Sequence, residues 1–126
     1  MTIREVSEKY GITQDTLRYY ERVGMIPPVH RTAGGTRDYS AEDLRWVELA
    51  KCMRAAGVSI EAMVEYVRLF REGEHTIGAR LELLCAQRKA LEEQRSRIDE
   101  TLVRLQFKID RYEQAAKTGV LEWKNE

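Results

Sequence analysis

The sequence predicts a mainly α-helical protein: a winged helix-turn-helix head with a small β-hairpin wing, followed by a long coiled-coil dimerisation helix. Three observations lead to this fold class. Two short helical patterns meet at a glycine near the amino terminus, a Pro-Pro step precedes a glycine-rich basic segment, and an unbroken heptad pattern follows. We expect the head over residues 1–75, the long helix over 76–118 and a short tail with Trp123 over 119–126.

The first two predicted helices have recognisable start and stop signals. Thr2 and Glu5 have the spacing of a capping box, and Thr13 can cap a second helix that ends at Gly24. Gly11 supplies the turn between the two helices. Two helices joined by a tight glycine turn form a helix-turn-helix.

A glycine-rich stretch at residues 33–35 predicts a hairpin between two short strands, Val29–Arg31 and Thr36–Tyr39. Because side chains alternate along a strand, Arg37 and Tyr39 are expected to face the same way. A basic hairpin beside an exposed helix is suited to hold the DNA backbone next to a groove.

The second helix is the candidate for entering that groove. Once Leu17 faces inward, Gln14, Arg18 and Tyr19 fall on exposed or half-exposed positions. Gln and Arg can bond base edges bidentately, and Tyr can bond phosphates. The 21 basic and 21 acidic residues of the chain balance, so net charge adds no support for nucleic-acid binding.

Two further helices complete the predicted head. Ser40 caps the third helix, which Gly57 stops, and Ser59 caps the fourth, which Gly73 stops.

From residue 77 to residue 116 the apolar positions recur in steps of four and three, and ten of the twelve positions are apolar or aromatic. A heptad pattern of this length indicates a coiled coil. A helix of ~40 residues is about 60 Å long, more than the head can cover, so we predict a homodimer. A lone amphipathic helix folded onto its own head is the alternative. The predicted dimerisation residues are Ile77, Leu81, Leu84, Leu91, Arg95, Ile98, Leu102, Leu105, Ile109 and Tyr112.

Four segments together resemble the MerR family of bacterial transcription regulators. They are TLRYYERVGMIPP at 16–28, R…GGTRDYS at 31–40, DLRWVELAKCMRAAGVSIEAM at 43–63, and the long carboxy-terminal helix. The resemblance covers nearly the whole chain. It implies an antiparallel coiled-coil dimer bound to a pseudo-palindromic promoter site. It also implies that the activated form bends and untwists the promoter, so that RNA polymerase engages both promoter elements.

The resemblance also implies which residues contact double-stranded promoter DNA. The wing departs from the commoner family pattern because Thr36 stands where an aromatic residue is frequent. The implied contacts are Thr13 and Gln14 at the helix start, Thr16, Arg18, Tyr19 and Tyr20 along the helix, and Arg31, Gly35, Thr36, Arg37 and Tyr39 on the wing.

Within the family, the chain looks most like the small aldehyde- and thiol-responsive branch (AdhR/NmlR-like), in which one head-domain cysteine reacts. Cys52 is the matching residue, and the neighbouring Lys51 and Arg54 would favour its thiolate. Its place near the carboxyl end of a helix disfavours an anion, and a small buried core residue is the alternative. Cys85 is expected to be a flank residue of the coiled coil.

No cofactor or metal is expected, because nothing after Cys85 is Cys or His and no Cys-x-x-Cys spacing occurs. An enzyme is one rival class, but His30 and His75 are far apart and no phosphate-binding glycine loop is present, so no catalytic residue is assigned. A coiled-coil protein whose head binds another protein is the second rival. The chain shows no membrane-spanning or signal pattern, and two free thiols fit a reducing cytoplasm.

Overall fold

The computed structural model describes residues 1–122, so the predicted tail residue Trp123 lies outside the described part. Two compact units are distinguished, Met1–Gln87 and the part from Arg88 onward. The elements are α1 (Ile3–Tyr10), α2 (Gln14–Val23), α3 (Ala41–Ala55), α4 (Ile60–Glu72), a short 3₁₀ turn (Glu74–Thr76) and α5 (Ile77–Thr118). The mainly helical fold class is confirmed.

The helix starts follow the predicted side-chain caps. The side chains of Thr2, Thr13, Ser40 and Ser59 each accept a hydrogen bond from a backbone N–H in the first turn of their helix. Thr2 with Glu5 and Ser40 with Asp43 form complete capping boxes, which satisfy two otherwise unpaired N–H groups each.

The helix-turn-helix is held by a small apolar core. Val6 of α1 and Leu17 of α2 are fully buried, and the two helices pack together. Gly24 follows α2 with φ +86°, a left-handed conformation that glycine adopts without steric cost. The chain can therefore reverse there, and the Met25 N–H donates to the Tyr20 carbonyl at 2.9 Å. Further buried residues are Ile26, Val29, Trp46, Val47, Ala50, Val58, Met63, Val67 and Leu69.

The two predicted wing strands are not formed. One antiparallel bridge joins Arg31 and Arg37, and it stands outside any named strand. The ladder stops there because neighbouring donors are engaged elsewhere. The His30 N–H donates to the Asp43 carboxylate at 3.1 Å, and the Tyr39 N–H donates to the Met1 carbonyl at 2.7 Å. The wing is therefore a tight turn tied to the helices.

Thr76 and Arg80 join α4 to the first turns of α5. The Thr76 hydroxyl is buried and lies 2.7 Å from the Leu69 carbonyl and 2.8 Å from the Gly73 carbonyl. Arg80 donates through Nε to this hydroxyl at 3.0 Å, and its guanidinium lies 5.4 Å from the Phe70 ring centroid. Buried and charge-assisted bonds therefore fix the start of α5 to the end of α4.

Candidate nucleic-acid interface

The amino-terminal turn of α2 presents small polar groups. The Thr13 hydroxyl accepts from the Thr16 N–H at 3.1 Å, and the two hydroxyls lie 2.8 Å apart. Thr13 is exposed, while Gln14 and Thr16 are half-buried. These three predicted contacts therefore surround the positive end of the helix dipole, where phosphate groups bind favourably.

Arg18 is an exposed cation of α2, with 44% of its side chain accessible. It donates to the Asp15 carboxylate at 3.1 Å and to the Gln14 side-chain oxygen at 3.3 Å. Such exposed pairs within one turn contribute little, about 0.3–0.5 kcal/mol, so an incoming base or phosphate can replace them. Tyr19 is half-buried and stacks near Arg22, whose guanidinium lies 5.4 Å from the ring.

Tyr20 does not belong to this exposed face, and its DNA contact stays a prediction. It is only 9% exposed. Burial raises the pKa of its hydroxyl, and Arg54 partly offsets the shift. The reason is helical geometry, because Tyr20 lies three residues after the fully buried Leu17 and therefore shares its inward side.

The wing is fastened to α2 by Glu21, a residue that the sequence analysis missed. Its carboxylate accepts from Arg37 Nε at 2.7 Å and from the Val29 N–H at 2.8 Å. A guanidinium nitrogen of Arg31 lies 3.8 Å from it. The Glu21 side chain is 12% exposed. The available signal was an acid directly after Arg-Tyr-Tyr in a stretch otherwise suited to bind an anion.

The wing tip carries Gly35 and Thr36, which are both exposed. Gly35 has φ +86°, a conformation that disfavours other residues. Its carbonyl accepts from Arg31 Nη1 at 2.9 Å. The Thr36 N–H donates to the Thr32 hydroxyl at 3.3 Å. The tip is therefore an ordered turn with its outer surface accessible.

Tyr39 is only 2% exposed, and its DNA contact also stays a prediction. The strand pairing next to it is limited to the single Arg31–Arg37 bridge. The Tyr39 backbone instead pairs with Met1, through a 2.7 Å bond from its N–H and a 2.9 Å bond to its carbonyl. Burial raises the pKa of its hydroxyl, which has no hydrogen-bond partner among residues 1–122.

Cys52 is exposed on α3, so the buried-core alternative is contradicted. The two predicted cationic neighbours are bonded to backbone carbonyls: Lys51 Nζ donates to the Tyr10 carbonyl and Arg54 Nη1 to the Val58 carbonyl. Cys85 is also an exposed free thiol. Accessibility therefore allows reaction at either cysteine.

The predicted dimerisation residues form an accessible apolar stripe along α5. The helix has 42 residues and buries none of them. Leu91 is half-buried and Arg95 is exposed. The other eight predicted seam residues are between 43% and 61% exposed: Ile77, Leu81, Leu84, Ile98, Leu102, Leu105, Ile109 and Tyr112.

Comparison with known proteins identifies the family. Residues 1–69, more than half of the chain, match the model of the MerR HTH family regulatory proteins. The chain belongs to the MerR family. This membership confirms the family predicted from the sequence.

Individual MerR relatives extend the likeness along the chain. The HTH-type transcriptional regulator AdhR of Bacillus subtilis is 54% identical over 91 residues, which cover 72% of this chain and 65% of AdhR. A crystal structure described as a MerR family transcriptional regulator from Listeria monocytogenes has 51% identity and a TM-score of 0.89, covering 94% of this chain and 90% of that one. HiNmlR, a MerR family regulator lacking the sensor domain and bound to promoter DNA, has 31% identity and a TM-score of 0.85, covering 94% of each chain.

These relatives agree with the predicted AdhR/NmlR-like branch, and those compared are named as transcription regulators. This MerR-family chain is a DNA-binding transcription regulator of the MerR type, which is a non-enzymatic function. Among residues 1–122, no helix is long and apolar enough to cross a membrane. Within the same residues, no three metal-binding side chains come together.

Proposed function

We propose that this MerR-type regulator binds a pseudo-palindromic promoter site as a homodimer. In each copy α2 enters the major groove and the wing lies against the adjacent backbone. The observation that carries the proposal is that two arginines lie on neighbouring elements. Arg18 is exposed on α2, and Glu21 of the same helix bonds Arg37 of the wing. A HiNmlR structure bound to promoter DNA supports it.

In this proposal, the residues that contact DNA are those whose side chains are at least partly exposed. Arg18 reads base edges or phosphates, and the wing arginines contact the backbone, since guanidinium groups bind both. Tyr20 and Tyr39 support the interface from the protein interior. The proposed contacts are Thr13, Gln14, Thr16, Arg18 and Tyr19 on α2, and Arg31, Gly35, Thr36 and Arg37 on the wing.

Dimerisation through α5 is supported by the apolar seam. Burying the exposed half of a Leu or Ile contributes roughly 1 kcal/mol. Two copies of eight such residues would supply the free energy needed to offset association, about 4–15 kcal/mol. In an antiparallel pair with full overlap, Leu91 of one chain meets Leu102 of the other. Arg95 lies beside Ile98 near the midpoint and fixes the register.

Such a dimer acts on transcription through the promoter itself. Its activated form bends and untwists the DNA, and RNA polymerase then engages both promoter elements without a direct contact to the regulator. This is indirect readout, in which deformation of the duplex carries the signal. The protein acts in the cytoplasm, where promoter DNA is accessible to it.

The test of DNA binding is titration of a duplex from upstream of its own gene at several salt concentrations. Counterion release predicts affinity that falls steeply with salt. Arg18→Ala is expected to weaken binding by roughly 1–3 kcal/mol, while Arg104→Ala, an exposed arginine of α5, leaves it unchanged. Equal effects of the two changes, or no binding at low salt, would contradict the proposal.

We also propose that aldehydes, electrophiles or oxidants switch the regulator through Cys52. Its exposure on α3 supports this role, since reagents can reach the thiol. Cys52→Ser should abolish the transcriptional response to formaldehyde, methylglyoxal or diamide. Cys85→Ser, which removes the other exposed thiol, should retain that response. Full activation in Cys52→Ser cells would eliminate this part of the proposal.

A further inference from the structure

Glu21 is the point at which the wing meets α2. One carboxylate oxygen accepts from Arg37 Nε at 2.7 Å, and the other accepts from the Val29 N–H at 2.8 Å. The two donors stand 8 and 16 residues from Glu21 in sequence, on either side of the wing turn. This single side chain therefore fixes both arms of the wing to the helix.

Only a carboxylate of this length satisfies both donors. An ionised carboxylate accepts hydrogen bonds at both oxygens, whereas the amide of Gln has one acceptor and one donor group. In Glu21→Gln, the amide NH₂ would face either Arg37 Nε or the Val29 N–H. Because both of these groups are donors, one of the two hydrogen bonds would be lost. In Glu21→Asp the charge remains, but the side chain is one methylene too short to reach both.

Considered alone, the negative charge of Glu21 disfavours the binding of an anionic ligand such as DNA. A carboxylate near phosphates lowers DNA affinity by like-charge repulsion, and it partly neutralises Arg37 and Arg31. Its contribution must therefore come through geometry. A guanidinium has five N–H donors, and the Nε bond to Glu21 uses one of them while orienting the others.

We propose that Glu21 is a positioning residue for DNA binding. It sets the wing against α2 so that Arg37 and Arg31 bond backbone phosphates while Arg18 occupies the groove. This inference rests on the proposed DNA binding and adds to it a residue that acts through others.

Positioning and charge predict opposite results when Glu21 is changed. If charge alone mattered, Glu21→Gln would bind promoter DNA more tightly and with a steeper salt dependence. If Glu21 positions the wing, Glu21→Gln binds about 10-fold more weakly or worse. The slope of log K against log salt then becomes shallower by about 0.9 for each phosphate that the wing arginines no longer neutralise.

The experiment is a double-mutant cycle of Glu21→Gln with Arg37→Gln, measured by titration of the full-length protein with its upstream duplex. The inference predicts that Glu21→Gln weakens binding in the native background and has little further effect once Arg37 is replaced. Glu8→Gln, an exposed carboxylate of α1 paired with Arg4, is the matched control and should not weaken binding. Equal losses in both backgrounds, or tighter binding by Glu21→Gln, would overturn the inference.

Glu21→Asp gives a second arm that keeps the net charge and the overall fold. Positioning predicts weaker binding and a shallower salt slope, whereas unchanged affinity and slope would contradict it. The arms also separate this inference from the proposed function. If the native protein binds and Arg18→Ala does not, while both Glu21 variants bind normally, DNA binding stands and the positioning role fails.

Discussion

The head and the long helix use their apolar residues in opposite ways. Within Met1–Gln87, the four helices before α5 surround buried residues such as Val6, Leu17 and Val47. Along α5, which runs for 42 residues, no residue is buried, although its leucines and isoleucines repeat in heptads. The first region has the core of an independently folded domain, and the second has an apolar surface that a second copy would cover.

The polar side chains of the two regions also differ in the partners that they bond. In the head, Glu21 and Asp43 bond backbone N–H groups from distant segments, and the Thr76 hydroxyl is buried. On α5 the Thr101 hydroxyl bonds a carbonyl of its own helix on the surface. We therefore expect head substitutions to change unfolding of each chain and α5 substitutions to change association.

The largest expected effect is loss of the dimer when a charge enters the seam. Leu102→Glu places two unpaired carboxylates in the proposed interface, and burying such a charge is strongly unfavourable. We expect the dissociation constant of the dimer to rise by several orders of magnitude. Val103→Glu, on the adjacent off-seam position, is the matched control and should remain dimeric in analytical ultracentrifugation. Dimerisation of Leu102→Glu would show that this stripe is not the interface.

The next largest effect is expected when a core side chain of the head is truncated. Leu17 is fully buried, so Leu17→Ala removes buried methyl groups and leaves a cavity. We expect it to lower the free energy of unfolding by about 2–5 kcal/mol. Chemical denaturation would measure it, with Val103→Ala at an exposed off-seam position as comparison. A Leu17→Ala protein as stable as the native chain would be inconsistent with the described core.

The direction of the two helices can be tested by disulfide formation in a Cys52→Ser, Cys85→Ser background. If the chains are antiparallel with full overlap, Leu91→Cys together with Leu102→Cys should link rapidly, because the two positions face each other. Leu91→Cys alone should link slowly. In a parallel pair each Leu91 faces its own copy, so rapid linking of Leu91→Cys alone would contradict the antiparallel arrangement.

The smallest expected effect is that of replacing a threonine by valine, which can be compared between the two regions. Thr76→Val removes a buried hydroxyl whose bonds join α4 to α5, and leaves two carbonyls without this donor. We expect it to cost about 1–2 kcal/mol of unfolding free energy. Thr101→Val removes an exposed bond within α5 and should stay within about 0.5 kcal/mol. Equal costs would mean that the Thr76 bonds do not stabilise this junction.

Local sequence signals predicted the helices well, because the physics of a cap lies within four residues. Thr2, Thr13, Ser40 and Ser59 each bond an N–H that is three positions further on. The heptad pattern is equally local, and it located α5 to within one residue of its observed start and end. Chain-local geometry therefore sufficed for the fold class.

The wing and the tyrosines depended on distant partners, which a single sequence does not reveal. The His30 N–H bonds the Asp43 carboxylate, so the predicted strand pairing is limited to one bridge. The Tyr39 side chain is buried, and its backbone bonds Met1. The Tyr20 contact was implied by the family resemblance alone, and Tyr20 follows the buried Leu17 by three positions and shares its inward side. Glu21 was missed because its role appears only when the wing folds back onto α2.

The central claim is that two copies join along α5 so that paired heads share one DNA site. The most direct measurement is the mass, by light scattering at micromolar concentration, of the protein alone and with one equivalent of upstream duplex per two chains. The account predicts twice the chain mass of 14.7 kDa for the free protein, and two chains on each duplex in the complex. A free mass of 14.7 kDa at that concentration, or one chain on each duplex, would contradict it.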